Sequence, residues 1–100
     1  HCTAGTRDLL RILLADAARL QEEEAGYANR HGYSKHHPAL PLFTADDVAP
    51  VLDAVQIHSY GTEFDVAAGV RATLRRAGHI LGSATSDLGI DGPVPLRLVY

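Results

Sequence analysis

With 100 residues, 46% of them hydrophobic and 21% charged, the chain has enough apolar material for one small core and lacks the composition of a disordered segment. A formal net charge of −3 excludes a broad basic face that would hold nucleic acid by charge alone. The most apolar window, Leu9 to Leu20, carries Arg11, Asp16 and Arg19, which excludes a membrane-spanning helix there.

Cys2 is the one cysteine, so no internal disulfide can form, and a reducing, cytoplasmic compartment is expected. It reads as a small buried residue near a helix start rather than a nucleophile, since no base can be assigned to it. Thr3 or Thr6 can cap the first helix, and Asp8 in its first turn would suit the helix dipole. Leu9, Leu10, Ile12, Leu13, Leu14, Ala17, Ala18 and Leu20 recur at helical spacing as one wide apolar stripe, with Arg7, Arg11 and Arg19 mostly off it. The helix should run to about Asn29 and end at Gly32. Glu22, Glu23 and Glu24 read as a solvated face of it.

Tyr27 to Phe43 mixes prolines, a glycine, aromatic rings and basic side chains, the pattern of an ordered loop, lid or binding segment. His36 and His37 are adjacent, so they lack the spacing with which two helical histidines share an ion. With Lys35 they read either as a polar loop or as contacts to an anionic substrate. Thr44 opens a second helix with Asp47 in a weak capping box. Val48, Val51, Leu52 and Val55 should bury, with Pro50 either kinking the helix or marking its start. Ile57 to Tyr60 looks extended and Gly61 breaks it. Glu63–Ala67 and Val70–Arg76 form a hairpin through Ala68-Gly69, with Val70, Ala72 and Leu74 alternating against Arg71, Thr73 and Arg75. Ala84, Ser86, Leu88 and Ile90 alternate again, Asp91-Gly92 signals a turn, and Val94, Leu96, Leu98 and Tyr100 make a last strand. The fold class is α+β: a helical amino-terminal half, then antiparallel strands. The hundred residues form a single segment, and a chain stopping on a strand suggests an incomplete domain.

Between the second and third strands stands Ala77-Gly78-His79-Ile80-Leu81-Gly82-Ser83. Together with Cys2-Thr3-x-x-Thr6-Arg7-Asp8-Leu9-Leu10, Leu20-Gln-Glu-Glu-Glu24, Tyr27-Ala-Asn-Arg30, Gly32-Tyr-Ser-Lys-His36 and Pro38-Ala-Leu-Pro-Leu42, in that order, it resembles one family. This is the metallo-β-lactamase-fold hydrolases of the RNA-processing type, akin to bacterial and archaeal exonucleases and to the cleavage and polyadenylation specificity factor nuclease. The resemblance implies an αββα sandwich with a two-zinc site at its edge and an RNA substrate. His79 matches the family's metal-ligand histidine. Gly78 and Gly82 would let backbone pass close to a metal or substrate, and Ser83 would support the ligand from behind. Two metal ions would activate a water and stabilise charge on the phosphate during phosphodiester cleavage.

The family's His-x-His-x-Asp-His motif and its bridging aspartate are absent from the sequence. One histidine cannot supply the four or so donors of a zinc site, so the chain alone is expected neither to hold zinc fully nor to cleave RNA. A contrasting reading is a self-contained, non-catalytic interaction domain that self-associates through exposed strand edges, with Tyr33 to Phe43 as a contact loop. A non-catalytic RNA-binding module would have to rely on a local patch of Arg71, Arg75, Arg76 and Arg97.

Overall fold

The computed structural model describes every residue, His1–Tyr100, in the order α1 (Ala4–His31), α2 (Ala45–Ala54), β1 (Glu63–Ala67), β2 (Val70–Arg76), β3 (Ala84–Ile90) and β4 (Leu96–Val99). The α+β expectation is met, with a four-stranded antiparallel sheet in the order β1-β2-β3-β4. The chain divides into two compact units: His1–Leu9 with Val55–Tyr100, and Leu10–Ala54. No helix is long and apolar enough to cross a membrane.

In the unit that carries the sheet, register follows the alternation of side chains. Phe64 pairs with Ala72, Ala72 with Leu88, and Leu88 with Leu98, which puts the apolar set on one face because side chains alternate along each strand. Ala72 and Leu74 are the strand residues that bury, whereas Leu96 and Leu98 on edge strand β4 stay exposed. β4 begins at Leu96, two residues later than the alternation from Val94 suggests, because Asp91 to Pro95 form the whole connection. Tyr100 continues the pairing beyond β4 through two backbone bonds with Ser86, at 2.7 and 2.9 Å.

The opposite face is polar and self-neutralised. Asp87, its side chain only 10% exposed, sits between Arg75 and Arg97. Its carboxylate accepts hydrogen bonds from Arg97 at 2.7 and 2.6 Å and from Arg75 at 3.2 Å. These guanidinium contacts, Arg97's foremost, hold the Asp87 carboxyl down to about 2 from its ordinary 3.8. Arg71 pairs with Asp91 at 2.7 Å and, more loosely, with Glu63. Arg76, which alternation places on the face of Ala72 and Leu74 instead, lies 4.5 Å over the Tyr60 ring. The arginine patch considered from sequence is therefore not a free cationic surface, since three of its four members face carboxylates across the strands.

In the unit formed by Leu10–Ala54, α1 runs two residues past Asn29 and takes in the first residues of the expected loop. Gly32, at φ 64°, then closes the helix with its N–H on the Ala28 carbonyl at 2.9 Å, a turn that a side chain would strain. The segment after it is fastened back to α1 by polar side chains. Asn29 receives the Ala39 N–H at 2.7 Å and donates to the Ala39 carbonyl at 2.8 Å, Gln21 accepts from the Leu42 amide, and Glu22 accepts from the Ala45 amide. Glu23 pairs with Arg19. All three glutamates are exposed, as the solvated face read in the sequence requires, although Glu22 and Glu23 also have partners.

The Asp47 carboxylate accepts from both the N–H and the hydroxyl of Thr44, at 2.8 and 2.9 Å, and those bonds hold its pKa below the ordinary aspartate value. Helix α2 starts at Ala45 with Pro50 inside it, so Pro50 is not its beginning. Val48 buries, but Val51 is exposed, as are Ile12, Leu13 and Leu20 of the α1 stripe. Of the stripe only Ala18 buries, and Val51 borders an open hollow with Leu14, Phe43 and Val48. Asp8 lies beyond the first turn, which contains no acid, and Cys2 is half-buried rather than buried.

Candidate functional site

The turn that carries His79, Ala77 to Ser83, joins β2 to β3 and lies in the same unit as the start of α1. Its form follows from two glycines and one serine. Gly78 and Gly82 have φ values of 73° and 80°, a left-handed conformation that residues with a Cβ rarely adopt. The Ser83 hydroxyl oxygen accepts the backbone N–H groups of His79 and Ile80, each at 3.2 Å. Ser83 also donates its own N–H to the Ile80 carbonyl at 3.1 Å, and its carbonyl accepts the Tyr60 hydroxyl at 3.0 Å. Within the turn, side chain to backbone and backbone to backbone bonds together set the form.

The start of α1 holds the turn from the other side. Thr3, 3% exposed, and Thr6 direct their hydroxyls at the Gly82 carbonyl oxygen, at 2.7 and 2.9 Å. A carbonyl oxygen has two lone pairs and can accept both. The Thr3 oxygen meanwhile accepts the Thr6 N–H at 3.3 Å, which is the capping bond expected from the sequence. The backbones touch: a Cβ at Gly82 would stand 2.1 Å from the Thr6 nitrogen and 2.6 Å from the Gly5 carbonyl carbon. Before α1, the Cys2 N–H and carbonyl pair with Gln56 and His58, both at 2.9 Å.

Sequence reasoning missed this bracing of the turn by Thr3, Gly5 and Thr6. A threonine pair spaced three apart around a glycine at a helix start was the available signal, but its partner lies more than seventy positions along the chain.

His79 is exposed, and its imidazole makes no hydrogen bond to the rest of the chain, so both ring nitrogens are open. Ser83 braces the main chain of His79 and not its ring. Lys35, His36 and His37 are exposed as well, but they belong to the other compact unit. Within that loop the His36 N–H is held by the Ser34 hydroxyl at 3.0 Å. No group of three or more His, Cys, Asp or Glu side chains comes together anywhere in the chain. A zinc centre takes four ligands, or three and a water, so the residues present do not by themselves fit the zinc site that the resemblance implies.

No family model matches the chain, and no solved structure matches it significantly. Among characterised proteins, it is 36% identical over 94 residues to transcription termination factor FttA of Methanothermobacter thermautotrophicus, covering 92% of this chain and 13% of that protein. It is 32% identical over 90 residues to FttA of Thermococcus kodakarensis, covering 90% of this chain and 12% of that one. Endoribonuclease YSH1 of Eremothecium gossypii is 31% identical over 98 residues, covering 98% of this chain and 11% of YSH1. The chain spans about an eighth of the length of the FttA proteins it matches. Along nine-tenths or more of its length, it is similar to segments of a transcription termination factor and of an endoribonuclease.

Proposed function

We propose that this chain is an internal segment of a longer zinc-dependent hydrolase with the metallo-β-lactamase αββα sandwich, acting on RNA phosphodiesters. His79 would supply one metal donor, and the remaining donors would come from parts of that protein outside these residues. The observation that carries the reading is the form of the turn. An imidazole with both nitrogens open stands on a backbone fixed by Gly78, Ser83 and the Thr3–Thr6–Gly82 contact. A ligand held by a rigid backbone loses little entropy on coordination. Similarity to an endoribonuclease and to a transcription termination factor supports RNA as the substrate. When bound, the metal would supply an activated water and charge neutralisation at the phosphate. The contribution of this chain is to place the His79 ring and keep its backbone still.

The test is RNA cleavage by the longer protein. Cleavage should stop on chelation, return with zinc, and fall by at least about a hundredfold in His79→Ala. Cleavage indifferent to chelators would end the reading.

A second reading, self-association without catalysis, draws support from the exposed Leu96 and Leu98 on edge strand β4, since an unpaired strand edge with an apolar face is a template for a second chain.

A further inference from the structure

From Ala25 to Phe43 the chain contains no carboxylate, although its net charge is −3 and three glutamates stand immediately before that stretch. The same stretch holds Arg30, Lys35, three of the six histidines and two of the four tyrosines. None of the chain's ion pairs involves Arg30 or Lys35, so both cations are free to meet an outside anion.

The tyrosines are presented rather than packed. Tyr27 and Tyr33 are 50% and 58% exposed, with ring centroids 5.9 Å apart and planes tilted by 51°. The His31 ring stacks on Tyr27 at 3.9 Å, and its Nδ1 lies 2.9 Å from the Tyr27 carbonyl oxygen, which fixes one ring against the other. The loop carrying Tyr33 and Lys35 is tied to α1 through Asn29 and Ala39. Of the preceding glutamates, Glu22 is held by the Ala45 amide and Glu23 by Arg19. All three glutamates line the same hollow as Tyr27 and Arg30, and Glu24, which has no partner, borders Tyr33 as well.

We infer that Tyr27 to His37 is a docking surface for single-stranded RNA, with Tyr27 and Tyr33 stacking on bases and Arg30 and Lys35 meeting phosphates. Exposed π-faces beside unpaired cations match a strand whose bases are unstacked and whose backbone is anionic. A duplex hides those base faces, and a protein partner would leave the two cations without the repeating anion that suits them. The choice of RNA over DNA rests on the ribonuclease reading above. The surface itself rests only on the residues of this unit.

The experiment is fluorescence anisotropy of the intact chain with a labelled oligouridylate of about 12 nucleotides, with chelator present so that metal plays no part. Tyr27→Ala and Tyr33→Ala should each weaken binding by about 5- to 100-fold, while Tyr27→Phe and Tyr33→Phe, which keep the ring, stay within about twofold of the parent. Replacing both Arg30 and Lys35 by Gln should flatten the slope of log affinity against log salt by about 1.4, or about 0.7 for each lost contact. Glu24→Gln should tighten binding, and a duplex of equal length should bind at least about tenfold more weakly. No binding by the parent chain would overturn the inference, as would natively folded alanine variants that bind unchanged or a duplex that binds as well as the single strand. Since no metal is involved, such a failure would leave the His79 reading standing.

Discussion

Replacing Gly82 by Ala tests the contact between the helix start and the histidine turn. At φ 80° the new Cβ incurs about 1–2 kcal/mol of backbone strain. It would also stand 2.1 Å from the Thr6 nitrogen, a backbone atom that cannot swing aside, so the turn must lift off α1. Lifting breaks the two threonine bonds to the Gly82 carbonyl, worth about 1 kcal/mol each. The sum is about 3–4 kcal/mol, a large share of the stability of a small domain. Gly78→Ala is the matched control, because Gly78 has a φ of 73° but nothing within 4 Å of its Cβ position, leaving only the strain of about 1–2 kcal/mol. Urea unfolding followed by circular dichroism should therefore show Gly82→Ala losing at least about 1.5 kcal/mol more than Gly78→Ala. Equal losses from the two substitutions would refute the bracing.

Asp87 predicts an acid limb in stability. Its folded pKa of about 2 lies below the ordinary 3.8, so its contribution is present above the unfolded value and drains away as pH falls from about 4 through 2. Asp87→Asn should be less stable at neutral pH and show a flatter urea midpoint across that acid window; parallel pH profiles would contradict this. If β4 is an assembly edge, sedimentation velocity should show the chain's mean mass rising with concentration, and Leu98→Lys should suppress that rise by placing a charge on the edge. A concentration-independent monomer in the parent chain would remove the self-association reading.

The strands were legible because alternation is a local signal: Val70, Ala72 and Leu74 declare one face of β2 without reference to any other part of the chain. Gly32, Gly69 and the Thr44–Asp47 pair were legible for the same reason, each being a turn or cap settled within a few residues. The path from Gly32 to Thr44 was not, because it is set by Asn29, Gln21 and Glu22 bonding to backbone groups 10 to 23 residues away, and such bonds have no period. Exposure was the other blind spot. Ile12, Leu13 and Val51 fall on faces the pattern assigns to a core, yet whether a face is covered depends on what lies opposite, and periodicity carries no information about that. Within the candidate site, pattern alone gave a backbone kink with a histidine in it and the family resemblance singled out His79, while the Thr3–Gly82 contact joins positions 79 apart and emerges only once the chain is folded. The neutralisation of Arg75 and Arg97 by Asp87 likewise depends on strand register.

The most direct measurement is the zinc content of the longer protein by mass spectrometry of the purified, folded molecule, with His79 intact and with His79→Ala. Because the imidazole is exposed and holds nothing in place, the variant should fold normally by circular dichroism. The account predicts about two zinc ions per molecule with His79 present and a clear loss of metal in the variant. Unchanged zinc in a normally folded His79→Ala protein would contradict it.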